Sequence, residues 1–216
     1  MKPLRILLGD DHSLILKGIK GLLENHFDVV GVAENGKVLV EAALRLEPDL
    51  VVLDVGMPIL NGIDAASQIK KALPSTRLIF LSMHANPIYL RKALGAGAAG
   101  YVLKSGAAEE LITAIEEVCK GNTYVTPNFG HTVIESVRHP RGKPSRRVIE
   151  LTDRQKQILQ LVAEGRQNKE IAQIIHVSVK TVEFHRGRLS VKLGARSVAD
   201  LTKFAIQQGL IDVSGG

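Results

Sequence analysis

The sequence predicts a doubly wound α/β domain, a parallel sheet of five strands, followed by a small all-α domain. Three observations predict it. Short, uninterrupted apolar runs alternate with helical patterns from Leu4 to about Lys120. Such runs suit strands buried on both faces of a parallel sheet, joined by right-handed crossovers. From Leu151 the pattern becomes wholly helical. The charge divides in the same way: residues 1–137 hold 13 Lys+Arg against 15 Asp+Glu, net −2, and residues 138–216 hold 15 against 7, net +8. Such asymmetry points to two domains, the second facing a polyanion.

The elements follow in order. Ile6-Leu7-Leu8 opens the sheet and runs into Asp10-Asp11, and Val29–Val32 is the second strand. Leu50-Val51-Val52-Leu53 stops at Asp54, Leu78-Ile79-Phe80-Leu81 at Ser82, and Tyr101-Val102-Leu103 at Lys104. Helices are predicted over Ser13–Glu24, Gly36–Glu47, Gly62–Ala72, Pro87–Leu94 and Ala107–Cys119. Gly97 and Gly121 stand where left-handed helix caps prefer glycine. Residues 1–121 form the first domain and 122–147 a linker, with a short helix over Gly130–Val137 and a basic stretch Arg138–Arg147 rich in proline and glycine. Residues 148–216 form the second domain.

Composition excludes several classes. No apolar run approaches the roughly 18 residues of a membrane span, and the N-terminus does not read as a secretory signal. Among 216 residues a single cysteine, Cys119, rules out an intramolecular disulfide framework and fits a reducing compartment. It reads as a small, at least half-buried packing residue.

In parallel sheets, ligands bind outside the carboxyl ends of the strands. Asp10, Asp11, Asp54, Ser82 and Lys104 therefore converge on one spot. Three crowded carboxylates resist ionising together, and a hard cation removes the conflict. Magnesium suits it, because it takes one or two carboxylates, substrate oxygens and waters. One carboxylate is then free to attack a phosphoryl group, with Lys104 supplying positive charge and Ser82 a hydroxyl. His12 and His84 lie near these residues without metal-ligand partners at useful spacing and read as non-ligands.

These residues resemble the receiver domain of bacterial two-component response regulators, a flavodoxin-like sheet. Carrying the resemblance are Asp10-Asp11, Asp54-Val55-Gly56-Met57-Pro58-Ile59-Leu60-Asn61-Gly62, Ser82 and Gly97-Ala98-Ala99-Gly100-Tyr101-Val102-Leu103-Lys104. It implies that Asp54 accepts a phosphoryl group from a sensor histidine kinase. Asp11, Asp54 and the Gly56 carbonyl would hold magnesium directly, and Asp10 mostly through water. Ser82 and Tyr101 would be a switch pair, the hydroxyl moving to the phosphate and the ring turning inward.

In the basic half, Thr152-Asp153-Arg154-Gln155 is a capping-box pattern opening a helix with an apolar stripe of Ile158, Leu161 and Val162. Gly165 ends it. Asn168 is expected to cap a second helix and Ser178 a third. On the third helix Val182, Leu189 and Leu193 face inward, while Lys180, Phe184, Gly187 and Val191 face outward, flanked by Thr181, Glu183 and Arg188. Arg186 lies towards the core stripe. Two helices joined by a tight turn, the second exposing mixed polar groups, describe a helix-turn-helix.

Leu151–Ile211 resembles the LuxR-type helix-turn-helix domain through Leu151-Thr152, Ala163-Glu164-Gly165, Asn168-Lys169-Glu170-Ile171-Ala172, Val177–Glu183, His185-Arg186 and Lys192-Leu193-Gly194. Gln155 departs from the usual glutamate, and Phe184 is bulkier than the usual aliphatic residue. Receiver plus this domain resembles the NarL/FixJ class. The resemblance implies a cytoplasmic, phosphorylation-controlled transcription factor rather than an enzyme. Its partners would be a sensor histidine kinase, duplex DNA and RNA polymerase, with no membrane. A homodimer is expected when it is phosphorylated or DNA-bound, through Phe204 and Ile206 on a last helix whose Val198, Leu201 and Ala205 pack inward, with the receiver's fourth-helix-to-fifth-helix face as the competing interface. The flexible tether is expected to let the basic domain dock and undock.

Two rivals differ in chemistry. A small aspartyl-phosphate phosphohydrolase typically places a second Asp where Gly56 stands. A quorum-sensing regulator needs a ligand cavity in place of the Asp/Ser/Lys set.

Overall fold

The computed structural model describes residues 3–83, 85–129 and 149–211. His84, the expected helix over 130–137 and the basic stretch 138–147 lie outside the described residues. The chain divides into two compact units, a sheet domain and a helical domain.

Six parallel strands make the sheet: β1 (Arg5–Gly9), β2 (Asp28–Ala33), β3 (Leu50–Asp54), β4 (Arg77–Ser82), β5 (Gly100–Leu103) and β6 (Tyr124–Val125). Their order is β2-β1-β3-β4-β5-β6. Five helices connect them: α1 (Ser13–Leu23), α2 (Gly36–Leu46), α3 (Gly62–Ala72), α4 (Pro87–Gly95) and α5 (Ala107–Cys119). Chain order reverses between β1 and β3, so the crevice of the doubly wound fold opens where Asp10 and Asp54 leave the sheet.

The apolar runs are uninterrupted because both faces are covered. Ile6, Leu8, Leu50, Val52, Ile79, Leu81 and Val102 pack with Leu16 and Leu23 of α1 and Leu111, Ala114 and Ile115 of α5. The alternate residues Leu7, Val51, Leu53, Phe80 and Tyr101 are fully buried as well. Each such aliphatic or aromatic side chain contributes about 1.5–3 kcal/mol. Gly97 and Gly121 both adopt φ of +90°, the left-handed conformation expected of them.

Five expected strands become six, and the domain runs past Gly121, where the sequence pattern ends it. Tyr124 donates its N–H to Ala99 O and Thr126 donates its own to Tyr101 O, both at 3.0 Å. A two-residue strand carries no periodicity, so the pattern of apolar residues does not reveal it.

The helical domain holds α6 (Asp153–Ala163), α7 (Asn168–Ile174), α8 (Val179–Leu193) and α9 (Val198–Gln207). Ile158, Leu161, Val162, Ile171, Ala172, Ile175, Val182, Leu189, Leu201 and Ala205 form its core. Thr152 and Gln155 complete the capping box of α6, so glutamine serves where glutamate is usual. The turn between α7 and α8 passes through His176 at φ 54°.

Three details correct the expectation. Gln167 rather than Asn168 is the N-cap of α7, because Glu170 three residues on accepts the Gln167 N–H at 2.7 Å. Asn168 instead accepts a hydrogen bond from Arg186 of α8, which gives Arg186 the structural role its position implied. On α9, Val198 is 50% exposed rather than packed inward, whereas Phe204 packs against the core. As the first residue of the helix, Val198 has no preceding turn to carry it inward.

Candidate functional site

The carboxyl ends of β1, β3 and β5 deliver the acid pocket. Asp10 and Asp54 are buried. Lys104, its side chain almost wholly enclosed, bridges them, with Nζ 2.6 Å from Asp10 Oδ2 and 2.8 Å from Asp54 Oδ2. Asp54 Oδ1 accepts the Val55 N–H at 2.7 Å. Asp11 stands at the mouth, its side chain 31% exposed.

Burial pushes the Asp54 carboxyl above the usual carboxylate range, with Asp10 adding to the effect and Lys104 opposing it. Burial also works against the Lys104 ammonium, but Asp54 and Asp10 outweigh it and hold the lysine above its usual value. The pocket therefore resists the full negative charge its residues could carry, and a cation relieves that resistance.

One ligand atom each from Asp10, Asp11, His12 and Asp54 lie within 4.8 Å of one another. This oxygen-rich donor set fits magnesium. Asp10 is already engaged, with Oδ1 accepting the His12 N–H at 3.0 Å and Oδ2 beside Lys104. Asp11 touches only the His12 ring, at 2.9 Å, among the ion pairs of the described residues. That difference favours Asp11 as the direct ligand. His12 lies near these residues as expected, with Nδ1 2.9 Å from Asp11 Oδ1 and 3.2 Å from Asp10 Oδ1.

Ser82 ends β4 beside this edge and is buried. The register pairs Asp54 with Leu81 and Ser82 with Leu103, so Ser82 sits between the strand of the acceptor and the strand of the lysine. Tyr101 is fully buried, its ring inward. Gly56 lies at the exposed start of the loop after β3.

The second candidate surface is the outward face of α8. Lys180, Glu183, Gly187 and Arg188 are exposed, Phe184 is 58% exposed, and Val191 is 84% exposed. Arg188 lies over the Phe184 ring, 5.4 Å from its centroid. Thr181 is half-buried, its hydroxyl 2.9 Å from that of Ser178, the N-cap. Of the DNA-contact residues expected from sequence, Thr181 alone is partly withdrawn.

The response regulator receiver domain family matches residues 6–116, and the luxR family of bacterial regulatory proteins matches residues 150–205. The transcriptional regulatory protein MctR of Rhizobium johnstonii is 36% identical over 98% of this chain and 97% of its own. The oxygen regulatory protein NreC of Staphylococcus carnosus is 32% identical over 97% of this chain and 100% of its own. The structure of an RcsB–DNA complex aligns with a TM-score of 0.58 and 28% identity, over 96% of this chain and 99% of that one. This chain is a two-component response regulator with a LuxR-type helix-turn-helix. It is a transcription factor of a family of DNA-binding regulators, not of enzymes. No helix among the described residues is long and apolar enough to cross a membrane.

In this regulator one contributor to the site has no chemistry of its own. A Cβ on Gly62 would lie 1.9 Å from Asp54 O, and the Gly62 N–H donates to Val55 O at 2.9 Å. Only glycine lets the first turn of α3 press this closely on the acceptor strand. Its sequence signal was the Asn61-Gly62 pair at the helix start.

Proposed function

We propose that Asp54 of this regulator accepts a phosphoryl group from a sensor histidine kinase and that this controls DNA binding by the helical domain. The observation that carries the reading is Asp54 itself: buried at the end of β3, ion-paired to Lys104, and within 4.8 Å of donor atoms from Asp10 and Asp11. In the transfer, an Asp54 carboxylate oxygen forms the bond to phosphorus as the bond to the kinase histidine nitrogen breaks. Lys104 stays beside the acceptor and balances the charge that arrives. Ser82 offers its hydroxyl to a phosphoryl oxygen. Asp11, Asp54 and the Gly56 carbonyl would hold magnesium, with Asp10 beside them. When bound, the ion neutralises the carboxylates and the incoming oxygens.

On the DNA side, Lys180, Thr181, Glu183, Phe184, Gly187 and Arg188 are the contact residues. The cations serve the phosphates, and Glu183 accepts from a cytosine amino group. The regulator works in the cytoplasm beside RNA polymerase and pairs as a homodimer on DNA. Two copies double the short site that one helix-turn-helix reads. A solved structure holds two dimers of the relative RcsB bound to two parallel DNAs. On α9, Ile206 and Val198 are 37% and 50% exposed and share a face at a spacing of eight residues.

The test is chemical. Incubation with a small phosphodonor and magnesium should place one acyl phosphate on Asp54, and Asp54→Asn should abolish it. Peptide mapping that found the acyl phosphate on another residue would overturn the assignment.

A further inference from the structure

We propose that Phe129 is a positioning residue for Tyr101, holding its ring inward and thereby favouring the phosphorylated state of the receiver. This rests on the reading of Ser82 and Tyr101 as the pair that responds to phosphate.

The Tyr101 ring is clamped between two others. Phe80, its register partner on β4, lies on one side at 6.5 Å between centroids and 25° between planes. Phe129 meets it at 5.3 Å and 89°, the edge-to-face arrangement that aromatic quadrupoles prefer. Phe129 is itself 4% exposed. It reaches this place through β6. Thr126 is buried, donates its N–H to Tyr101 O, and accepts the Leu103 N–H on its hydroxyl at 3.0 Å. The Phe129 N–H donates to Thr126 O at 3.1 Å. A short edge strand and one threonine thus tie Phe129 to the strand that carries both Tyr101 and, one residue after its end, Lys104.

Side chains two apart on a strand share a face, and the register sets Phe80 against Tyr101 and Ser82 against Leu103. Ser82, Phe80 and Tyr101 therefore stand on one face of the sheet. A ring that turns inward as the Ser82 hydroxyl moves to phosphate gains its contact with Phe129, and a ring that turns outward loses it. Phe129 interacts with one state more than with the other, the requirement for shifting a population. By linkage, what Phe129 contributes to the inward ring sets the most that it can add to phosphate binding. Phe129 also stands where the sheet domain hands the chain on towards the helical domain.

The experiment uses the full chain labelled with 3-fluorotyrosine. The three tyrosines give three fluorine signals, and Tyr89→Phe and Tyr124→Phe identify that of Tyr101. Beryllofluoride with magnesium, a phosphoryl mimic, is titrated in. In the wild type, whose ring is already inward in this structure, the Tyr101 signal should lie near the buried-ring position and move the rest of the way to it. Phe129→Leu keeps apolar bulk but removes the ring edge. It should start closer to the solvent-exposed position and need roughly two- to tenfold more beryllofluoride, the factor an edge-to-face pair is worth. Phe129→Tyr, which keeps the edge, should titrate like the wild type, and magnesium affinity measured alone should be unchanged in both variants. If Phe129→Leu lowers the melting temperature yet titrates at the wild-type concentration, Phe129 is a core residue only and the proposal is wrong. If the wild-type Tyr101 signal ignores beryllofluoride while Asp54 is occupied, the switch pair itself fails and takes the proposal with it.

Discussion

The acid pocket and the outward face of α8 solve opposite problems. The pocket gathers groups from strand ends far apart in sequence, buries them and ties each to another: Lys104 to both Asp10 and Asp54, His12 to Asp10 and Asp11. The α8 face draws its groups from one helix and leaves them open to water. Its single link among the candidate side chains is the Arg188–Phe184 stack. Buried, coupled charges fail together when one is removed, whereas exposed charges act nearly independently and are screened by salt. Changes in the pocket should therefore be all-or-none, and changes on α8 graded.

Beyond loss of the acceptor itself, the largest effect expected is not from a charge. Gly62→Ala puts a methyl 1.9 Å from Asp54 O, so one backbone segment must shift. Phosphorylation of Asp54 should fall at least tenfold and the sheet domain should unfold at a markedly lower temperature, measured by phosphodonor labelling and by calorimetry. Labelling at the wild-type rate would show that the contact does not position the acceptor.

Next comes pH. The Asp54 pKa is raised in the fold, so folding is favoured when Asp54 is protonated. That stability is full below the unfolded value of about 3.8 and is lost as pH rises through the folded value. At pH 7 without metal, Asp54→Asn, which is neutral throughout, should therefore melt above the wild type. The gap should close as pH falls towards 4, and magnesium should stabilise the wild type more than the variant. A wild type that melts above Asp54→Asn in metal-free buffer at pH 7 would contradict this.

On α8, Glu183→Ala should relax preference at one base pair, worth about 1–3 kcal/mol, read by competition among duplexes differing at that position. Lys180→Ala should weaken all sequences about equally and flatten the salt dependence of binding by roughly one counterion. A base-specific loss for Lys180→Ala, or a uniform one for Glu183→Ala, would show the roles reversed. The smallest effect should come from Ile206→Asp. Half-site binding should survive while cooperativity on a two-half-site duplex is lost. A footprint of unchanged length would move the dimer contact off α9.

The two regions also differ in how far the sequence disclosed them. Asp10, Asp54, Ser82 and Lys104 were legible because each ends an apolar run, and a parallel sheet gathers such ends by its topology. The caps of α6 and α8 were legible because a cap needs only residues three apart, and Gln155 shows that the donor and acceptor count matters more than the particular residue. Where several residues compete for one task, local pattern is not enough. Gln167 and Asn168 both suit a cap, and the partner that decides between them, Arg186, comes from another helix. β6, Thr126 and Phe129 were missed for lack of length, and the packing of Tyr101 between Phe80 and Phe129 depends on strand register. Val198 shows the limit of helical periodicity at a helix end.

The central claim is that the acid pocket governs the α8 face. The direct measurement is the affinity of the full chain for a selected duplex, in matched salt, before and after treatment with a small phosphodonor and magnesium, with Asp54→Asn carried alongside. Treatment should raise wild-type affinity towards that of a fragment of about residues 148–216 and leave Asp54→Asn at its resting value. Equal affinities before and after treatment, with Asp54 shown by mapping to be phosphorylated, would contradict the account.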